Sequence, residues 1–148
     1  ARRILLVEDE KAIRDAVAAY LEREGYWVVG VGDGQSAVEE FEKHQFDLIV
    51  LDPPAFTKSR GTVAHAARGY REINYEALRL LPRGGYRATC SCSHFMTRDL
   101  LAKAVAEAAH RANVQLKQVE ERQQAPDHPI LWGFPESHYL DFFVFQVV

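Results

Sequence analysis

An aspartate at the end of an apolar run is the first residue in this sequence whose position could do chemistry. Residues 46–51 have the length and apolarity of a buried strand, and Asp52 follows them directly. Pro53 and Pro54 then keep the chain from continuing as strand or helix. Because sites in open α/β sheets form at the carboxyl ends of parallel strands, Asp52 stands where a carboxylate could bind a metal ion or assist a reaction.

A second group of carboxylates follows the first apolar run of the chain. Residues 4–7 are typical of a strand buried on both faces, and Glu8, Asp9 and Glu10 come immediately after them. Clustered carboxylates at strand ends suit a hard divalent cation such as Mg²⁺. The alternative is that these acids only favour a helix N-terminus and solubilise a loop.

Two thiols, Cys90 and Cys92, lie in another apolar run, residues 86–92. A cysteine thiolate can act as a nucleophile when a cation, a base or a helix N-terminus favours its ionisation. On one strand the two side chains point to the same face and are too far apart to bridge comfortably, which fits reduced thiols in a cytoplasmic protein. The alternative is that each packs as a small hydrophobic core residue.

The elements that position these residues follow from the hydrophobic periodicity. The first half predicts a βαβαβ unit, with strands at 4–7, 27–31 and 46–51, a first helix that ends at Gly25, and a shorter second helix. The first helix is amphipathic and is expected to cover the sheet. Right-handed crossovers place the first three strands in the order 2-1-3.

The second half predicts three further strands. Its elements are a long helix over 63–81, a strand over 86–92, a helix from 100 to about 113, a polar strand over 114–120, a loop over 122–138 and an apolar strand over 140–148. Only a loop joins the last two strands, so they should be antiparallel, and the polar strand suits the sheet edge. The prediction is one three-layer, doubly wound α/β domain with strand order 2-1-3-4-6-5 and strand 6 reversed.

Composition adds few constraints. The chain has 148 residues, 47% of them hydrophobic, and a net charge of -3, which gives no general electrostatic reason to bind nucleic acid. No apolar run approaches the roughly 18 residues of a membrane span, and no leader is evident. We expect no membrane or nucleic-acid partner, and the sequence does not determine the oligomeric state.

The first third of the chain resembles the receiver domain of response regulators. The matching stretches are residues 3–10, Gly25-Tyr26, Gly32-Asp33-Gly34 and residues 46–52. The resemblance implies that Glu8 and Asp9 bind magnesium and that Asp52 accepts phosphate.

The remaining two-thirds resemble the carboxyl half of S-adenosylmethionine-dependent methyltransferases that make 5-methylcytosine in large-subunit ribosomal RNA. The matching stretches are residues 52–59, 65–74, 80–85, 89–94 and 135–140. The resemblance implies a Rossmann-like sheet ending in an antiparallel hairpin. It also implies that Cys90 is the nucleophile, with Cys92 the weaker candidate, and that Asp52 assists.

Each resemblance lacks part of its chemistry. A methyltransferase needs a glycine-rich turn after its first strand, because glycine lets the backbone approach the cofactor, whereas this chain has Glu8-Asp9-Glu10-Lys11 there. Asp33 could hold a ribose but is better explained as a turn residue. A receiver needs a Thr or Ser after its fourth strand, for which Thr89, Ser91 or Ser93 could serve. It also needs a Lys after its fifth strand, and Lys58, Lys103 and Lys117 all lie away from that strand end.

The sequence therefore predicts an engineered chimera in which a receiver-like half, residues 1–52, continues into a methyltransferase-like half, residues 53–148. We expect a Rossmann- or flavodoxin-like scaffold without enzymatic activity and without a bound cofactor. Residual methyltransferase activity and a phosphorylatable magnesium-binding switch are the alternatives. Cys90, Cys92 and Asp52 are then vestigial catalytic candidates, and Glu8, Asp9 and Asp52 a latent, weak magnesium site.

Overall fold

The computed structural model describes residues 2–52, 63–91, 97–138 and 140–148. Its strands and helices alternate through most of the chain, and the last two strands follow one another. The elements are β1 (Arg3–Glu8), α1 (Lys11–Arg23), β2 (Trp27–Val31), α2 (Gly34–Lys43), β3 (Leu48–Asp52), α3 (Val63–Leu80), β4 (Tyr86–Ser91), α4 (Arg98–Arg111), β5 (Leu116–Gln123) and β6 (Asp141–Val147).

The six strands form one sheet in the order β2-β1-β3-β4-β6-β5. The first four strands are mutually parallel, and β6 runs antiparallel to both β4 and β5. The predicted fold class and strand order are confirmed. β3 pairs with β1 on one side and β4 on the other, so this strand joins the receiver-like elements to the rest of the sheet.

One face of the sheet is covered by α2, α3 and α4. Apolar side chains of the strands pack there against Ala77, Leu78 and Ala108, and a neighbouring cluster joins Tyr70 and Leu101 to the last strand. Alternate residues of β3 and β6 are buried on this side, as expected for strands with one helix-covered face.

The opposite face carries only α1 among the elements described. Helix α1 packs on β1 and β2, as expected from its amphipathic spacing, although none of its residues is fully buried. Right-handed connections explain the imbalance, because only the crossover from β1 to β2 runs in the direction that places its helix on this face.

Some boundaries differ from the sequence prediction. β5 extends to Gln123, three residues beyond the predicted end, because it pairs with β6 along its whole length across a bulge near Val119. Gly25 ends α1 with a φ of 96°, and Asn113 follows α4 with a φ of 56°. Both residues adopt the left-handed conformation that terminates helices.

None of the helices in the described part of the chain is both long and apolar enough to cross a membrane.

Candidate functional site

The carboxylates predicted to cluster belong to two adjacent strands. Glu8 ends β1 and Asp52 ends β3, and the two residues are direct partners in the parallel register. Both side chains lie on the face that carries α1. The apolar runs that precede them fix this register, because a shift by one residue would turn each carboxylate to the opposite face.

Glu8 is buried, with only 4% of its surface exposed. Its Oε1 accepts a hydrogen bond of 3.0 Å from the backbone N–H of Glu10, whereas Oε2 is buried and has no donor among the described residues. Burial and the neighbouring carboxyl of Asp52 raise the pKa of Glu8 to about 8. Glu8 therefore carries a proton at neutral pH, and that proton relieves the repulsion between the two side chains.

Asp9 also lies close enough to Glu8 to contribute to its raised pKa. However, in residues 2–52, 63–91, 97–138 and 140–148 no three His, Cys, Asp or Glu side chains are placed to hold a metal ion together. Magnesium binding at Glu8, Asp9 and Asp52 stays a prediction, and it requires rearrangement of these carboxylates and loss of the Glu8 proton.

Cys90 and Asp52 are in contact, as the methyltransferase resemblance implies. Cys90 follows the part of β4 that pairs with β3, and its Sγ lies 3.2 Å from Asp52 Oδ1, within hydrogen-bonding distance for a thiol donor. The thiol is largely buried, and the backbone carbonyl of Leu51 lies 3.9 Å from it. A thiolate here would stand beside a carboxylate, which disfavours its formation. Cys92 lies outside the described residues.

The remaining receiver candidates do not join Asp52. Thr89 occupies the opposite face of β4 from Cys90, fully buried, and its Oγ1 has no hydrogen-bond partner in the described structure. Ser91 is on that same face and accepts a hydrogen bond from Tyr70 Oη at 3.3 Å. Lys103 belongs to α4 and Lys117 to β5, far from the end of β3. Lys58 and Ser93 lie outside the described residues.

Asp33, which could have gripped a ribose, is the N-cap of α2. Its Oδ1 accepts a hydrogen bond of 2.7 Å from the backbone N–H of Ser36, and this bond lowers the pKa of Asp33. The prediction that Asp33 is a turn residue is therefore supported by its geometry, and a local structural role accounts for its conformation.

Sequence reasoning missed a buried polar network on the helix-covered face. Arg87 is fully buried in β4, donates from Nη2 to Asn74 Oδ1 at 2.8 Å and from Nη1 to backbone carbonyls of Ile49 and Ala88. No carboxylate pairs with it in the described structure, and burial lowers its pKa to about 9. The sequence contains one indication of this network. Arg87 is the only charged residue in the apolar run 86–92, and a charged side chain inside a buried strand needs polar partners.

The loop between β5 and β6 presents large apolar side chains to solvent. Trp132 is 98% exposed, with Leu131 and Phe134 beside it. Ser137 ties the loop together by accepting from the backbone N–H of Leu131 at 2.7 Å and donating to the carbonyl of Phe134 at 2.7 Å. At the base of the loop, His138 Nε2 lies 3.0 Å from Asp141 Oδ1.

The amino-terminal third of the chain matches a known family. Residues 4–53 match the sequence model of the response regulator receiver domain. Structural similarity extends to a response regulator from Burkholderia pseudomallei, with a TM-score of 0.51 at 17% identity, over 72% of this chain and 55% of that one.

The curated relatives come from a different class. The chain is 41% identical over 107 residues to Ribosomal RNA large subunit methyltransferase I of Erwinia tasmaniensis, and 44% identical over 103 residues to the same enzyme of Cronobacter sakazakii. These matches cover 72% and 70% of this chain, but only 27% and 26% of the relatives. The chain thus spans about a quarter of the length of the methyltransferases it matches.

Solved structures relate the whole chain to the methyltransferase fold. A SAM-dependent methyltransferase structure from Streptococcus mutans superimposes with a TM-score of 0.71 at 17% identity, covering 99% of this chain and 44% of that one. The chain therefore combines a receiver-like beginning with a sequence similar to part of a ribosomal RNA methyltransferase, in a single Rossmann-like sheet.

Proposed function

We propose that this protein is an engineered chimera that serves as a folded scaffold and performs neither parental reaction. The two sequences meet at β3, a strand that both parental sheets possess, and both parents place their sites at the same edge. The shared strand lets each half keep its own packing, so that only the contacts between the halves are new.

The observation that carries this proposal is the buried Glu8 carboxyl at the end of β1. S-adenosylmethionine would need backbone to approach closely here, but the position holds a buried side chain whose neighbours are Asp9 and Asp52. The glutamate side chain at this strand end fills space that glycine would leave open for the cofactor. The residues at this strand end do not fit the cofactor.

The receiver reaction is also unsupported by the arrangement of the described residues. Asp52, its acceptor candidate, contacts Cys90 and faces Glu8, while the hydroxyl of Thr89 points to the other side of the sheet. A phosphoryl group on Asp52 would have to displace both contacts, and none of the described residues places a lysine or hydroxyl beside Asp52 as the receiver family does.

Isothermal titration calorimetry with S-adenosylmethionine tests the proposal. We expect a dissociation constant weaker than about 100 µM, which corresponds to roughly -5.5 kcal/mol. A full-length methyltransferase I serves as the positive control for the ligand. Tighter binding, or transfer of a labelled methyl group to cytosine-containing RNA, would refute the scaffold proposal.

Residual methyltransferase chemistry is the second candidate, because Cys90 and Asp52 remain in contact. Its signature would be an activated thiol, so we measure the pH dependence of iodoacetamide alkylation under native conditions, with Cys90 and Cys92 followed separately by mass spectrometry. We expect slow alkylation of Cys90 and no inflection below about pH 7. Asp52→Asn should accelerate alkylation, since it removes the charge that opposes thiolate formation. An inflection below about pH 7 would support the methyltransferase candidate instead.

A magnesium-dependent phosphoacceptor is the third candidate, favoured by the match of residues 4–53 to the receiver domain and by the Glu8–Asp52 pair. Incubation with acetyl phosphate and magnesium, followed by intact mass measurement, distinguishes it. We expect no phosphorylated species. A gain of one phosphoryl group that Asp52→Asn abolishes would establish this function.

A further inference from the structure

On the sheet face that carries α1, no helix among the described elements covers β3, β4 and β6. The side chains of this face are partly exposed on β3 and β6 and at Tyr86 of β4, whereas Ala88 and Cys90 of β4 and the side chains of the opposite face are buried. The partly exposed apolar side chains are Leu48, Val50, Tyr86, Phe142 and Val144. Three strands at about 4.8 Å spacing span roughly 10–15 Å, which is the width of one helix. We call this region the open strip.

Helix α1 carries mainly apolar residues on three of its four sides, with one arginine on each of two of them. Arg14, Ala18 and Leu21 face its own sheet and are half-buried. A quarter turn away lie three large exposed side chains, Ile13 at 43%, Val17 at 37% and Tyr20 at 61%. The side pointing away from the sheet carries only small apolar residues and one arginine, namely Ala12, Ala16, Ala19 and Arg23.

The fourth side of α1 holds the polar residues Lys11, Asp15 and Glu22, all exposed. The right-handed crossover turns this polar side toward the β2 edge and the large apolar side toward the open strip. The position of Leu21 agrees, because it lines a cavity of about 340 Å³ together with Leu48, Tyr86 and Val144 of the strip. The apolar flank of α1 and the open strip thus form one continuous surface.

We propose that a second copy of this chain covers the open strip. In the resulting two-fold dimer the axis runs parallel to the strands, and both α1 helices lie side by side in one layer between the two sheets. Ile13, Val17 and Tyr20 of one copy meet the same residues of the other, and the alanine side of each α1 packs on the partner's open strip. Such a contact is self-complementary, as two-fold symmetry requires.

The charges at the rims match this arrangement. Glu10 and Glu24 cap the two ends of α1, about 21 Å apart at the helical rise. Lys117 and Arg122 lie on the open face of β5, opposite Gln146 and Phe142 of β6. Because the bulge takes up one residue, they are about 14 Å apart at the strand rise, and Arg122 also pairs with Glu120. Since α1 runs antiparallel to β5, Glu24 of one copy is placed near Lys117 of the other, and Glu10 near Arg122.

The extent of the surface is adequate for a specific dimer. The exposed helix flank, its alanine side, the partly exposed strands β3 and β6 and the Tyr86 side chain of β4 together offer an area on the order of 800 Å² per copy, which is what one partner contributes to an interface of standard size. The polar side of α1 stays in solvent. An amphipathic helix from another protein could make similar apolar contacts. It would not reproduce the two symmetry-related charge pairs, Glu24 with Lys117 and Glu10 with Arg122.

Sedimentation velocity of the full chain tests the oligomeric state. At about 100 µM we expect a species of twice the 16.8 kDa chain mass. Val17→Glu should raise the dimer dissociation constant at least tenfold with unchanged circular dichroism, because Val17 is already partly exposed in one copy and two glutamates would face each other across the axis. Trp132→Glu, at a more exposed apolar site on the β5–β6 loop, is the matched control and should leave the dimer intact.

Charge reversal tests the arrangement itself. Lys117→Glu and Glu24→Lys should each weaken the dimer, the double variant should restore it, and Glu22→Lys on the polar side should have no effect. A monomer at about 100 µM overturns the proposal, as does loss of the dimer in Trp132→Glu but not Val17→Glu. Failure of the double variant to recover affinity overturns the proposed orientation of α1.

Discussion

At the scale of single residues, two buried ionisable groups dominate this protein. Glu8 lacks a cation and Arg87 lacks an anion in the described structure, and they lie on opposite faces of the sheet. Because the sheet separates them, neither neutralises the other. Each group therefore carries its own desolvation cost.

Glu8 should make stability fall as the pH rises. Its pKa is about 8 in the folded protein and near 4.5 when unfolded, so between these values the native state binds more protons. The free energy of unfolding should decrease through this range, by at least about 1 kcal/mol and by no more than roughly 5 kcal/mol at 1.4 kcal/mol per pKa unit. Urea titrations at about pH 5.5 and pH 8.5 measure the change.

Glu8→Gln should abolish that dependence and be more stable than the parent at the higher pH, since an amide carries no charge to bury. Glu22→Gln, on the exposed side of α1, is the control and should keep the parent's slope. A pH-independent parent would mean that Glu8 is ionised in the folded state.

Arg87 should be replaceable with a gain in stability. Its guanidinium stays charged at neutral pH, its Nε has no partner in the described structure, and only neutral groups accept from its other nitrogens. Replacing a buried, poorly compensated charge by an apolar side chain of similar length stabilises by about 1–4 kcal/mol. We expect Arg87→Met to raise the urea midpoint at an unchanged m-value.

The double variant Arg87→Met with Asn74→Leu should gain further, because the single change leaves Asn74 Oδ1 without its donor. Arg79→Met, on the exposed end of α3, controls for loss of positive charge and should change stability little. A stability loss above about 1 kcal/mol in both Arg87 variants would contradict the account of an unpaired charge.

At the scale of elements, the helices differ in how they are held. α4 buries five residues and is capped by Thr97, whose Oγ1 accepts from the N–H of Leu100 at 3.2 Å, whereas α2 buries none and depends on its Asp33 cap. Terminal hydrogen bonds matter most where packing contributes least. Asp33, which follows β2, therefore has a structural role as the N-cap of α2.

Asp33→Ala should lower the thermal midpoint, whereas Asp33→Ser should preserve most of the stability because a hydroxyl still accepts the N–H of Ser36. The lowered pKa of the Asp33 carboxyl means that its contribution is present near neutral pH and is lost as the pH falls through the folded value. Equal midpoints for the alanine and serine variants would show that the cap is dispensable.

At the scale of the whole molecule, we expect β3 to make the two halves one folding unit. It pairs with β1 of the receiver-like half and with β4 of the methyltransferase-like half, so neither side of the sheet is complete without it. Unfolding should be a single cooperative transition. Trp27, which packs on Phe46 at 6.1 Å between ring centroids, reports on the first half.

In a Trp132→Phe background, Trp27 fluorescence should follow the same urea curve as far-UV circular dichroism, to which helices of both halves contribute. The background substitution removes signal from the exposed loop. Two separated transitions would mean that the halves unfold independently and that β3 does not couple them.

The sequence by itself determined the order of the elements, the strand order and the meeting of Asp52 with Glu8. These follow from local properties, namely apolar runs of strand length, the absence of a helix between the last two strands, and the fixed hand of β-α-β connections. The contact between Cys90 and Asp52 was likewise predictable, because adjacent strand ends bring such side chains together.

Only the tertiary structure decided what covers each face. The amphipathic spacing of α1 indicates a helix but not the number of helices that share its side of the sheet, so its exposure and the open strip appear only in three dimensions. The protonation of Glu8 and the burial of Arg87 likewise depend on which elements cover each face of the sheet. A pKa is set by the depth and neighbours that a side chain acquires on folding, and these depend on elements distant in the chain.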